Sequence, residues 1–172
     1  RDNGKVYRIT NGIASGPLLD VNVATDGYRG LLGIAATNNT NGTSTVLLYF
    51  TEAHKKDGDD VTNKSLAPFG NMLYSYNLVN NKLINPRLLL DLPALPGPRH
   101  AGGVVEIGPD KNIYLTIGDL DGTFRYKQYE TKSQNFQDGV PPDGRSGILA
   151  ITLDGKPAAK QILGNSYPIN LY

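Results

Sequence analysis

The sequence predicts an all-β fold assembled from repeated four-stranded units, on three observations. Its apolar runs are short and bounded by turn residues, with Gly 20 and Pro 11 among 172 residues, and none has the spacing of an amphipathic helix. Patterns recur at intervals of about 70 residues: Val6-Tyr7-Arg8-Ile9-Thr10, Leu73-Tyr74-Ser75-Tyr76-Asn77 and Ile148-Leu149-Ala150-Ile151-Thr152 form one series, and Gly30-Leu31-Leu32-Gly33-Ile34 returns as Gly103-Val104-Val105-Glu106-Ile107. Each interval holds about four strands. Antiparallel units too small to bury both faces alone are the sequence form of a β-propeller, whose blades stack around a central channel. The period is longer than the usual ~40–50 residues, and the excess sits in two long loops.

Val6-Tyr7-Arg8-Ile9-Thr10 alternates between two turns, Asn3-Gly4 and Asn11-Gly12, and reads as one strand of a hairpin series. Pro17-Leu18-Leu19-Asp20-Val21 gives a second short strand. After Asp26-Gly27, the run Gly30-Leu31-Leu32-Gly33-Ile34-Ala35 is apolar throughout, so burial of both its faces is expected, with glycines that admit a close neighbour. A polar loop from Thr37 to Ser44 leads into the buried strand Thr45 to Thr51. Glu52 to Phe69 is a charged excursion. Asp57, Asp59 and Asp60 could offer oxygens to calcium, but the run lacks the Gly and Glu positions of an EF-hand loop and reads as solvated, with His54 exposed. Met72 to Leu78 alternates, turns at Asn80-Asn81, and continues through Asn85-Pro86 into Leu88-Leu89-Leu90-Asp91-Leu92.

The most informative stretch runs from Arg99 to Asp119: two apolar runs folded about a Gly-Pro-Asp-Lys-Asn turn, a β-hairpin signature. If the turn is centred on Asp110, His100 at the start of the first strand lies opposite Asp119 at the end of the second. Directly opposed residues have Cβ atoms roughly 4.5–5.5 Å apart. At that range the carboxylate can accept a proton from one imidazole nitrogen and leave the other as a base. The same pair would also serve as a plain structural hydrogen bond at a strand end. Gly102 and Gly103 either admit something close to the backbone or mark a bulge. Leu120 to Ser146 is a second long excursion, and Ile148 to Leu153, the Asp154-Gly155 turn and Gln161-Ile162-Leu163 close the chain as strands.

Composition narrows the function classes. Lys and Arg number 17 against 16 for Asp and Glu, a formal charge of +1, which supports neither nucleic acid as a partner nor an acidic tail. Cysteine is absent, so disulfides and thiolate metal sites are excluded while the compartment stays open. No run approaches the ~18 apolar residues of a membrane span.

Tyr28-Arg29-Gly30-Leu31-Leu32-Gly33-Ile34-Ala35, Leu90-Asp91-Leu92-Pro93, His100-Ala101-Gly102-Gly103, Ile107-Gly108-Pro109-Asp110, Tyr114-Leu115-Thr116-Ile117-Gly118-Asp119 and Gly147-Ile148-Leu149-Ala150-Ile151 resemble, in order and spacing, the soluble glucose/sorbosone dehydrogenase family. These are pyrroloquinoline quinone (PQQ)-dependent aldose dehydrogenases with six-bladed propellers. The resemblance implies PQQ-dependent oxidation of an aldose to its lactone, with His100 as general base, Asp119 orienting it, and hydride passing to the quinone. It places Tyr28, Arg99 and His100 at the cofactor, names no metal ligand in this chain, and puts the calcium ligands in later blades. Tyr28 stands where the family often carries Glu or Gln, and Thr37-Asn38-Asn39 replaces its usual His-Pro-Asp. The alternative is a non-catalytic binding propeller of the same superfamily, though such a descendant has no chemical need for the His100 and Asp119 pair.

On this reading residues 1–172 are a partial propeller of roughly two and a half blades: the end of one blade, then 28–98, then 99–172. The remaining blades or a second chain would cover the open apolar faces. A sugar substrate, an electron acceptor of unspecified kind and an extracytoplasmic location complete what the resemblance implies.

Overall fold

The computed structural model describes residues 1–54, 60–61, 66–122 and 143–158, and the backbone of 170–171. Among these the fold is all-β and entirely antiparallel within its sheets. Two small pairs come first: β1 (Lys5–Val6) with β4 (Leu19–Asp20), and β2 (Ile9–Thr10) with β3 (Ile13–Ala14). A four-stranded meander follows, β5 (Leu31–Asn38), β6 (Ser44–Glu52), β7 (Gly70–Val79) and β8 (Lys82–Leu92), each strand beside its sequence neighbour. The second meander is β9 (Val105–Ile107), β10 (Ile113–Ile117), β11 (Gly147–Ile151) and β12 (Asn170–Leu171). Neither sheet closes on itself.

The sequence repeat maps onto this topology. Gly30–Ile34 and Gly103–Ile107 enter the first strands of the two meanders, while Leu73–Asn77 and Ile148–Thr152 fall on the third. Val6–Thr10 does not behave as one strand: it breaks at Tyr7 and Arg8, pairing first with β4 and then with β3. Asn11 and Gly12, with φ of 52° and 78°, turn β2 back within two residues and leave Ile9 and Ile13 exposed. Asn80 and Asn81, at φ 49° and 57°, make the β7–β8 turn in the same way. Pro86 cannot donate to the ladder and sits where β8 bulges, between the pairs Ser75–Arg87 and Asn77–Ile84. The predicted strand Gln161–Leu163 lies outside the described residues.

β6 is buried on both faces, as its unbroken apolar run demands. Leu47 and Tyr49 point into the core shared with the second meander, against Leu73, Leu90, Leu92, Val105, Ile113, Leu115, Leu149 and Ile151. Val46, Leu48 and Phe50 point the other way, onto Val6, Leu18, Val21, Val23, Tyr76 and Leu83. Burial of each such aliphatic side chain contributes about 1.5–3 kcal/mol. β5 departs from expectation: Ile34 is 58 % exposed because its side chain lines an open cleft beside Lys5 and Tyr7 instead of packing on a core. The close approach predicted for its glycines is present, and a β-carbon on Gly33 would collide with the carbonyl of Gly103.

Tyr49 ties the first meander to the second. Its ring is wholly buried, and its hydroxyl donates to the carbonyl of Ala101 at 2.8 Å. Tyr49→Phe leaves that carbonyl without its partner and is expected to lower unfolding stability by about 1–3 kcal/mol, read by urea denaturation. Burial also pushes up the phenols of Tyr49, Tyr76 and Tyr74, the last to about 12 from an ordinary 10.0, with help from its bond to Glu52 Oε2 at 2.9 Å. Above pH ~10 the unfolded chain loses protons that the native phenols keep, so stability held below that pH drains away as pH rises toward the native values. The urea midpoint should therefore fall steadily from pH ~10 upward, and Tyr74→Phe should flatten the slope.

Candidate active site

The segment from Pro93 to Val104 crosses from the first meander to the second and carries His100. Backbone and side-chain donors from four places hold it. Arg29 Nη2 donates to Ala94 O at 2.7 Å, the Tyr28 N–H to Pro98 O at 2.9 Å, the Gly118 N–H to His100 O at 2.9 Å, and Tyr49 to Ala101 O. Beyond it, β9 and β10 pair in the register the turn predicts, Ile113 opposite Ile107 and Leu115 opposite Val105. Asp110 fixes that turn by accepting from Tyr114 Oη at 2.7 Å and from the Asn112 N–H at 3.1 Å, and these bonds hold its carboxyl below the usual range.

Toward the open end the ladder changes character. β9 begins only at Val105, so His100 lies in an irregular stretch before the strand and not at the strand's start. The cause is backbone conformation: His100, Gly102 and Gly103 have φ of 56°, 80° and 138°. Gly102 is approached by Thr116 O and Gly103 by Leu32 O, so the room these glycines make is filled by the chain's own backbone. Gly118 is tight for the same reason, since a β-carbon there would stand 2.5 Å from His100 O.

Despite the irregular ladder, the side chains meet. His100 Nδ1 lies 2.6 Å from Asp119 Oδ1. The imidazole is 53 % exposed and the carboxylate 18 %, so the acid is sheltered behind a base that faces solvent. With Nδ1–H donating to the carboxylate, Nε2 carries the free lone pair, and the arrangement suits proton abstraction from a bound hydroxyl. The left-handed φ of His100 is uncommon for a residue other than glycine, though His adopts it more readily than most, and such positions cluster at functional sites.

Tyr28 and Arg99 are also brought together. Tyr28 sits in the turn closed by the Arg29 N–H to Asp26 O bond of 3.2 Å, with its ring exposed. The guanidinium carbons of Arg99 and Arg1 each lie 5.9 Å from the ring centroid. Arg1 is anchored by donating to Arg29 O at 3.1 Å and Gly27 O at 2.9 Å, and it also lines an open cleft of ≈ 260 Å³ with Lys5, Tyr7 and Leu31–Ile34. An aromatic face flanked by two guanidinium groups suits a planar anionic ligand.

Sequence reading did not find three features of this region. Arg1 gave no signal beside the Tyr28 motif. Arg29, 7 % exposed, stands at the head of an apolar run, where a charged residue bordering buried sequence is the available clue. Burial draws its guanidinium pKa down while Asp26 and Asp121 push it back up. Asp121, 1 % exposed, lies two residues past Asp119 at a point the hairpin reading treated as open loop. Of the acidic excursion, Asp57 and Asp59 lie outside the described residues, and no group of three metal-ligating carboxylates or imidazoles occurs among the described residues. His54 is exposed and packs against Phe69 with ring centroids 3.9 Å apart.

Two solved structures share the fold: an oxidoreductase assigned as a glucose dehydrogenase from Thermus thermophilus, at TM-score 0.71 and 23 % identity, and a second glucose dehydrogenase at 0.68 and 13 %. Each match covers 98 % of this chain and 45 % of the other, so the chain spans less than half the length of these relatives. No protein of curated function matches. The sequence profile of the glucose/sorbosone dehydrogenases matches residues 1–166, and the chain belongs to that family.

Proposed function

We propose that the chain is the base-bearing part of a PQQ-dependent dehydrogenase that oxidises an aldose at its anomeric hydroxyl to the lactone. The observation that carries this reading is the 2.6 Å contact between His100 Nδ1 and Asp119 Oδ1, with the imidazole half exposed. Asp119 fixes the ring orientation and the tautomer, then stabilises the imidazolium once Nε2 has taken the hydroxyl proton. Family membership and the two glucose dehydrogenase folds support a sugar oxidoreductase.

PQQ is planar and carries carboxylates, and the residues present fit it: Arg99 and Arg1 would pair with carboxylates and the Tyr28 face would lie against the ring system. When bound, the quinone would supply the acceptor for the hydride. The chain's own contribution is to position the sugar hydroxyl, receive its proton at His100 and hold that charge beside Asp119. Among the described residues no three His, Asp or Glu side chains gather as metal ligands, and the calcium ligands are expected in other blades. In the same reading the two meanders are successive blades, 28–98 and 99–172, of a six-bladed ring preceded here by the end of another blade. Further blades or a second chain would cover the outer faces, where Ile148 is 45 % exposed. The electron acceptor is a separate partner and the setting extracytoplasmic.

In the full protein supplied with PQQ and calcium, His100→Ala is expected to lose turnover by a factor on the order of 10²–10⁴ in a dye-linked assay, with quinone affinity largely kept. Asp119→Asn should lose less, because the ring remains and only its orientation and tautomer suffer. Wild-type turnover in His100→Ala would overturn the reading. A second expectation concerns the cofactor: Arg99→Ala and Tyr28→Ala should each weaken PQQ binding on the order of tenfold, followed by quinone absorbance. Absence of any PQQ binding by the full protein would instead favour a binding propeller without catalysis.

A further inference from the structure

The turn that follows Asp119 is an unusual piece of backbone. Leu120 and Asp121 both have left-handed φ, 55° and 65°, which Asp tolerates and Leu does not favour, and both are 1 % exposed. Asp121 Oδ2 is buried without a hydrogen-bond partner among the described residues. It rests against Gly97 so tightly that a β-carbon on that glycine would collide with it. A buried carboxylate oxygen in this condition costs free energy unless an opposite charge offsets it.

Arg29 is that charge. It is 7 % exposed, lies in the field of Asp26 and, more weakly, of Asp121, and is itself anchored through Nη2 to Ala94 O at 2.7 Å, in the segment whose Gly97 bears on Asp121. From there the contacts form a continuous path. Ala94 lies three residues before Gly97, whose N–H donates to Leu120 O at 2.8 Å, and the Gly122 N–H donates to Asp119 O at 2.9 Å. The turn is therefore fixed on one side by Gly97 and on the other by its own closing bond, directly after the residue that faces His100.

We infer that Arg29 and Asp121 are positioning residues, a buried opposite-charge pair that clamps the left-handed turn at Leu120 and Asp121 and so sets how Asp119 presents its carboxylate to His100. The inference rests on the reading of His100 as the base, but it concerns the geometry of the apo protein and can be measured without quinone or sugar. Neither residue touches the reacting atoms in this account. Their effect passes through Asp119.

The test uses the full chain with ¹⁵N-labelled histidine, the His100 signals being assigned by their loss in His100→Ala. At a pH where the imidazole is neutral, native His100 should show the Nδ1–H tautomer that donates to Asp119. Asp121→Asn removes the charge and keeps the shape, while Gly97→Ala keeps every charge and pushes Asp121 aside. Each should move His100 from mainly Nδ1–H toward the Nε2–H form that free histidine favours, with Asp119 still in place. Turnover should fall by about 10–10²-fold, mostly in kcat. Arg29→Lys should preserve more of the native tautomer than Arg29→Met. A folded Asp121→Asn protein with an unchanged His100 tautomer would overturn the inference, and Gly97→Ala decides the matter if Asp121→Asn does not fold. Full turnover in His100→Ala would remove the base reading and leave the tautomer result standing.

Discussion

The close approach of backbone to backbone around residues 100–103 is the constraint on which the rest of the arrangement depends. Thr116 O closes on Gly102 within the second meander, while Leu32 O on Gly103 and Gly103 O on Gly33 bring the two meanders together backbone to backbone, with the Val105 side chain beside Gly33. Such contact fixes the spacing of β5 and the segment before β9 far more tightly than interdigitated side chains would, because no rotamer change can absorb a shift. Tyr49 adds a directional tie from the middle of the first meander to Ala101. The base inherits its position from this seam, since His100 stands one residue before Ala101 and its own carbonyl is held by Gly118.

Charge is distributed around the seam by depth. The exposed layer holds Tyr28 with Arg1 and Arg99 about its ring, groups that keep their hydration and remain available to a ligand. His100 shares that layer, with the more sheltered Asp119 behind it. Deepest are Arg29 and Asp121, whose burial would be costly for either alone and is tolerable because both are present. Arg145, 4 % exposed and paired with Asp143 at 2.9 Å, repeats this pattern just before β11, where the Ser146 N–H donates to Gly118 O. A chain with a formal charge of only +1 thus concentrates several of its charges where they order one surface.

The two meanders solve different burial problems with the same topology. The first lies between two cores and needs apolar residues on both faces of β6. In the second, the face carrying Val105, Ile113, Leu115, Leu149 and Ile151 is packed, whereas Glu106, Tyr114 and Thr116 line the other. That asymmetry is written in the strands themselves: β10 alternates strictly in burial, while β6 does not alternate at all.

Much of this was determined by the sequence alone. Turn chemistry at Asn11-Gly12 and Asn80-Asn81 set hairpins locally, the Gly108 to Asn112 turn set the β9–β10 register, and period-two apolar patterns marked the strands, because each of these depends on residues near one another in the chain. Extending that register put His100 opposite Asp119, and the two do meet, but through irregular backbone beyond the end of the ladder at Val105. Tertiary structure decided the rest. It split Val6–Thr10 between two partners, left Ile34 exposed on an edge, and put left-handed backbone at His100, Leu120 and Asp121, none of which is a turn-forming glycine. It also joined Arg1 to Tyr28 and buried Asp121 against Gly97 in the field of Arg29, groups that are far apart in sequence or hidden in an apparent loop. Edge position, imposed φ and long-range charge pairing arise only when separate segments compete for the same space, and a one-dimensional pattern holds no record of that competition.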